Sequence, residues 1–149
     1  MPGFAHIFIS LVFCIFIMKF SKGDFTYRMA IIFSVNCHFG PDTFGFLPWV
    51  GSGARLYYFI HGYGWIFIAF IWAILWTYLN NHNLQWKPFK VTPKKEDDKD
   101  YLPYLQIYFL VAAGGIFHQF IDLIGHPPTI YYDAEYGTVP WGAVWFGGD

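Results

Sequence analysis

The chain has 149 residues, of which 56% are hydrophobic and only 13% charged, where ordinary soluble domains carry roughly a quarter charged residues. Aromatic side chains make up 24%, with 18 phenylalanines, more large rings than a core of this size hides from water. The net charge of −1 and the lack of a basic stripe exclude nucleic acid as a partner, and the composition predicts an all-α integral membrane protein with the lipid bilayer as its solvent.

Four apolar stretches, measured against about 20 residues per helical span, predict a bundle of four transmembrane helices in a single membrane domain, 1–149. The first covers about 4–20 (FAHIFISLVFCIFIMKF), with no charge before Lys19. It lacks a basic n-region and a small-x-small cleavage site, so it is expected to stay in the mature protein. The second, about 25–39, is short, contains Arg28, Asn36 and His38, and is the weakest span. Cys14 and Cys37 lie inside these two segments without CxxC spacing and read as small buried hydrophobes. The third, about 56–79 (LYYFIHGYGWIFIAFIWAILWTYL), is long enough to cross with some tilt. A polar connector, 80–100, separates it from the fourth, about 101–125, which has a proline near its first turn where the missing N–H does no harm. In the tail, 126–149, Tyr131, Tyr132, Tyr136, Trp141, Trp145 and Phe146 suit a membrane interface.

Lysine and arginine set the expected direction. Lys19, Lys22 and Arg28 flank the first connection, and Lys87, Lys90, Lys94, Lys95 and Lys99 lie in the third, whereas the second has only Arg55 and nothing basic follows Lys99. Both termini are therefore expected outside a cell membrane, with the 80–100 connector in the cytoplasm.

On that topology the ionisable residues gather at the outer helix ends. His6 opens the first helix, His38 and Asp42 close the second, His61 begins the third, and His118, Asp122 and His126 finish the fourth, with only His82 on the other side. His118 and Asp122 stand i, i+4, so they share a helix face about 6 Å apart and can grip one cation. His126 extends that face if the helix survives Gly125, which Pro127 and Pro128 oppose. An ionisable group such as His61 inside an apolar run is costly and normally faces a cavity, a partner or a functional site. The bland alternatives are an interfacial histidine at His6 or His38 and a turn residue at Asp42 in FGPDTFG. Imidazole and carboxylate are the usual zinc ligands where cysteine is absent, and they also suit manganese, iron or copper. A metal in such a site generates a nucleophile from water near neutral pH, so the expected reaction class is hydrolysis.

The order MPGFAH, GPD, FIHG and FHQFIDLIGHP resembles the small membrane-bound metal-dependent hydrolases. The succession of ligand types is also similar to that of zinc-dependent phospholipase C and the related single-strand nucleases. The resemblance implies His6, Asp42, His61, His118 and Asp122 as metal ligands, with His126 a sixth; His38 and Glu135 are additional candidates apart from it. It rests on about a dozen positions spread over residues 1 to about 127. Two departures stand out: no second acid follows Asp42 closely, and Ile60-His61-Gly62 replaces a Thr-His-Ser. Asp133 or Glu135 could supply the missing acid. Two functions are therefore expected in competition: a divalent-metal-dependent hydrolase of a phosphoester or lipid ester, and an accessory subunit of a larger membrane complex with a structural or vestigial metal site. Small residues at Gly62, Gly64, Ala112, Ala113, Gly114 and Gly115 support the second through close helix contact. A transporter is disfavoured because internal repeats are lacking.

Overall fold

The computed structural model describes residues 4–46, 59, 61–125, 131–133 and 137–139. In chain order these form α1 (Phe4–Phe20), α2 (Tyr27–Phe39), a 3-10 helix (Pro41–Phe46), α3 (Trp65–Asn80), β1 (His82–Trp86), β2 (Phe89–Pro93), α4 (Tyr104–Gly125), β3 (Tyr131–Asp133) and β4 (Gly137–Val139). The strands make two antiparallel hairpins; in the first, Leu84 stands opposite Val91 and Trp86 opposite Phe89.

Local chemistry explains where the helices begin and end. Thr26, extended in its backbone, accepts the Met29 N–H on its hydroxyl and satisfies one of the orphan donors at the start of α2. The helix closes with the Gly40 N–H on the Asn36 carbonyl at 2.9 Å, and Pro41, which has no N–H to give, turns the chain into the 3-10 helix. Ahead of α3 the turn through Gly62 to Gly64 is held by the Gly64 N–H on the Phe59 carbonyl at 2.9 Å. A Cβ at Gly64 would collide with the Phe59 backbone and ring, so glycine alone fits. At the far end of α3, Asn81 donates to the Leu102 carbonyl at 2.8 Å and accepts the Leu102 N–H at 3.2 Å. Its amide thus copies a strand pairing and clamps the approach to α4 onto α3.

The core lies where α2 and α3 pack on α4 and is built from Met29, Ile32, Trp65, Ala69, Ala73, Ile107, Val111 and Ala112. Ala69 and Ala73 are wholly buried, and side chains this small let α3 approach α4 closely. Trp65 joins all three helices. Its ring is 1% exposed, its indole N–H donates to the Val111 carbonyl at 3.3 Å, and it lies so close to Gly40 and Gly115 that a Cβ on either would meet it. α1 packs on this frame through a smaller cluster of Cys14, Ala30 and Phe33.

The expected four-span bundle is overturned. Among the described residues one helical stretch, Tyr104–Asp122, is long and apolar enough to cross a membrane by length and composition. α2 has 13 residues and α3 has 16, which rise about 20 and 24 Å against a hydrocarbon core of about 30 Å; the 17 residues of α1 reach about 26 Å. The third apolar run is longer than its helix because the Gly62–Gly64 turn interrupts it, and the second starts two residues ahead of α2, which begins only after the Thr26 cap. The multi-pass location in a cell membrane with both termini outside falls with the spans on which it rested. Part of the 80–100 connector is the β1–β2 hairpin. Residues 47–58, 126–130 and most of the tail lie outside the described residues.

Candidate metal centre

Four separate pieces of chain deliver ionisable side chains to one place. The first turns of α1 bring His6, the 3-10 helix brings Asp42, the helical residue just ahead of the Gly62–Gly64 turn is His61, and α4 brings His118 and Asp122 on one face. His61 Nε2 and His118 Nε2 stand 3.2 Å apart. Asp122 Oδ2 is 3.1 Å from His118 Nε2 and 3.5 Å from His61 Nε2. The Asp42 carboxylate completes the set, Oδ1 at 3.3 Å from His61 and Oδ2 at 3.6 Å from His118. A tetrahedral site with zinc–ligand bonds of 2.0–2.1 Å has ligand–ligand edges of about 3.3 Å, so these separations fit a single ion among four donors. Two overlapping triads, His6/His118/Asp122 and Asp42/His61/His118, keep their ligand atoms within 4.8 Å of one another.

The protonation pattern leads to the same place. His118 Nδ1 lies 2.8 Å from the Cys37 carbonyl and can only donate there, which leaves the Nε2 lone pair facing two carboxylates and a second imidazole. Acceptors facing acceptors repel unless positive charge sits between them. Without a metal that charge is a proton. Burial opposes it on His61, but the hydrogen bonds that its ring donates to Asp122 and Asp42 outweigh burial and push the imidazole up to about 9. For Asp122, burial works against ionisation and is outweighed by hydrogen bonds from His118, His6 and His61, which hold the carboxyl well below the usual range.

His6 plays a different part. Its Nε2 is 2.9 Å from Asp122 Oδ1, the oxygen turned away from the other ligands, and its ring stacks on His118 with centroids 4.3 Å apart. It therefore orients a ligand instead of completing the tetrahedron, as outer partners of metal-binding carboxylates do. His6→Ala is expected to lower metal affinity about 10- to 100-fold with the number of ions bound unchanged, which titration against a competing chelator measures. Of the other candidates, His38 lies in the last turn of α2 with its ring edge-on to Phe39 and belongs to neither triad. His126 and Glu135 fall outside the described residues.

Sequence reasoning missed the groups that hold these ligands still. The Cys37 carbonyl fixes the His118 tautomer, and the Cys37 thiol donates to the His6 carbonyl at 3.7 Å. Gln119, 2% exposed, donates to the Gly62 carbonyl at 2.9 Å and so pins the residue after His61 to the helix carrying His118. A glutamine inside the apolar run FHQFID was the one available signal. Exposure is uneven: the His61, His118 and Asp122 side chains are at most 6% exposed, whereas Asp42 is 38% exposed. The centre thus meets its surroundings on the Asp42 side.

The raised His61 and lowered Asp122 give the metal-free protein a defined pH response. A histidine whose folded value (about 9) exceeds its unfolded value (6.5) stabilises fully below the unfolded value and less as pH rises through the folded one. The melting temperature of chelator-treated protein is expected to fall between pH 6.5 and about 9. Saturating divalent ion displaces that proton, so the loaded protein should show a flat profile over the same interval. Parallel melting curves would expose a mistaken charge assignment as two profiles of equal slope.

Compared with protein-family models, with curated proteins and with solved structures, the chain shows no match to any of them.

Proposed function

We propose that this protein is a divalent-metal-dependent hydrolase, with zinc the ion that fits its donors best and a phosphoester or lipid ester as the bond cleaved. The observation that carries the reading is the convergence of His61, His118, Asp122 and Asp42 at tetrahedral spacing. Two carboxylates against two neutral imidazoles balance a divalent charge in a buried place, where an unbalanced charge is expensive. Three ligands are buried and the fourth, Asp42, is partly exposed, so it is the one that can give way to water, as the open position of a catalytic zinc site requires. A bound divalent ion supplies Lewis-acid polarisation and lowers the pKa of a water in its shell toward about 7.

The protein's own groups do the rest. His61, His118 and Asp122 hold the ion, with His6 and the Cys37 carbonyl orienting two of them. Asp42, the fourth and partly exposed donor, would yield its place to the attacking water and take that water's proton as general base. Purified full-length protein loaded with zinc should hydrolyse p-nitrophenyl phosphate or a phosphatidylcholine probe. Asp42→Asn should slow that reaction about 10²- to 10⁴-fold, the usual contribution of a general base, while the ion is retained. Loaded protein inert toward both substrates, or indifferent to Asp42→Asn, would discard the reading.

The accessory-subunit reading is favoured by another observation, the apolar outer faces of α1 and α3, where Phe8, Phe16, Phe67 and Ile71 are more than 60% exposed. A surface of this kind marks an interaction site, and co-purification with larger subunits in a fixed ratio tests it.

A further inference from the structure

We propose that the β1–β2 hairpin is a docking element for the surface of an anionic phospholipid bilayer. Strand alternation puts Leu84 and Trp86 on the same face as their partners Val91 and Phe89, and all four are exposed, Trp86 at 76% and Phe89 at 68%. Asn83, Gln85, Lys90 and Thr92 occupy the opposite face. A two-stranded hairpin with a bare apolar face is marginal in water, so the sequence has placed aromatic rings where something covers them.

Continuity and charge name the cover. The apolar face runs into a groove of ≈ 370 Å³ whose wall includes His82 and Pro93 from the hairpin base, Ile74 and Tyr78 from α3, and Tyr104 from α4. Ile74 and Tyr78 are themselves more than half exposed, so the apolar strip extends from the hairpin along α3. Between His82 and Lys95 the chain has four lysines and no acid, the acids Glu96, Asp97, Asp98 and Asp100 starting only past the hairpin; Lys94 donates to the Asn80 carbonyl, which leaves Lys87, Lys90 and Lys95 to face a partner. A second copy of the chain would set these like charges against each other. Anionic head groups satisfy them while acyl chains take Trp86 and Phe89, the division of labour seen where tryptophan and lysine meet a membrane interface.

The test uses the full-length chain with an environment-sensitive fluorophore on Leu84→Cys, which stands on the apolar face, since Cys14 and Cys37 are wholly buried. Vesicles of phosphatidylcholine with about one-third phosphatidylglycerol should shift the emission to the blue, and added salt should reverse the shift. Lys87→Glu with Lys90→Glu should weaken binding at least about 25-fold, from about fivefold for each lysine lost at an anionic surface. Trp86→Ser with Phe89→Ser should weaken it at least about tenfold. No shift on anionic vesicles, an equal shift on pure phosphatidylcholine, or a vesicle-free shift that grows with protein concentration, the mark of self-association, would each overturn the proposal. These comparisons on the labelled parent decide the matter even if a double variant does not fold.

Discussion

Purified full-length protein is expected to hold about one divalent ion per chain, and the double variant His118→Ala/Asp122→Ala to hold none at ion concentrations that saturate the parent. The expectation follows from the distances: every other ligand atom of the tetrahedron lies within 3.6 Å of one or other of these two side chains. Changing an outer partner of a metal ligand alone costs about 10- to 100-fold in affinity, so losing two direct donors should cost well over a hundredfold. Removing Asp122 alone is a sharper perturbation of stability. It leaves His6, His61 and His118 buried around one another with only Asp42 to neutralise them, and breaking a buried pair from one side costs about 3–5 kcal/mol. The double variant relieves part of that strain and should be the more stable of the two in chelator. Elemental analysis after dialysis gives the stoichiometry, and chemical denaturation gives the order of stabilities. Equal metal content in parent and double variant would remove the centre from any account of this protein.

The second large effect is expected far from any ligand atom. Trp65→Ala should destabilise the fold by about 3–5 kcal/mol, the usual cost of emptying a buried aromatic site, and should also weaken metal binding with every ligand still present. Trp65 touches Gly40, two residues before Asp42, and Gly115, three before His118, and is itself four residues after His61. One indole ring thus sets the spacing of three of the four donors. Trp65→Phe, which keeps most of the volume but loses the indole bond to the Val111 carbonyl, should cost about 0.5–1.5 kcal/mol and affect the ion less. Denaturant midpoints and metal titrations on the same samples separate the two roles. Full metal affinity in a destabilised Trp65→Ala protein would show the ring to be filler only.

How much of this could be read from the chain depends on the range of the interaction. The helical face shared by His118 and Asp122 follows from a four-residue spacing, and Asp42 stands just past a glycine and a proline that stop a helix, so both were visible as candidates. His6 was visible as a candidate ligand, but its place behind Asp122 depends on a contact across 116 residues, which no local pattern encodes. The span count misled because hydropathy measures how apolar a run is, not where its backbone turns; the turn before α3 lies inside the third apolar run. The β1–β2 hairpin hid for the opposite reason. Its period-two alternation, Leu84 and Trp86 against Phe89 and Val91, sits in the most polar stretch, where the lysines masked it. Trp65 gave no local signal at all, since its role is to fit glycines on two other helices.

The 3-10 helix of Pro41–Phe46 also bears on how fast the centre can change its occupant. Three donors are fixed by helices, by Gln119 or by the Cys37 carbonyl, but Asp42 is held on a single short turn at the surface. Loading and stripping should therefore proceed through a gate one carboxylate wide. Hydrated cations would reach the interior by first meeting Asp42, and chelators would extract them by the same route. Stiffening that short turn should slow both processes together and leave the equilibrium constant nearly untouched, a kinetic signature that a symmetrically buried cage would lack.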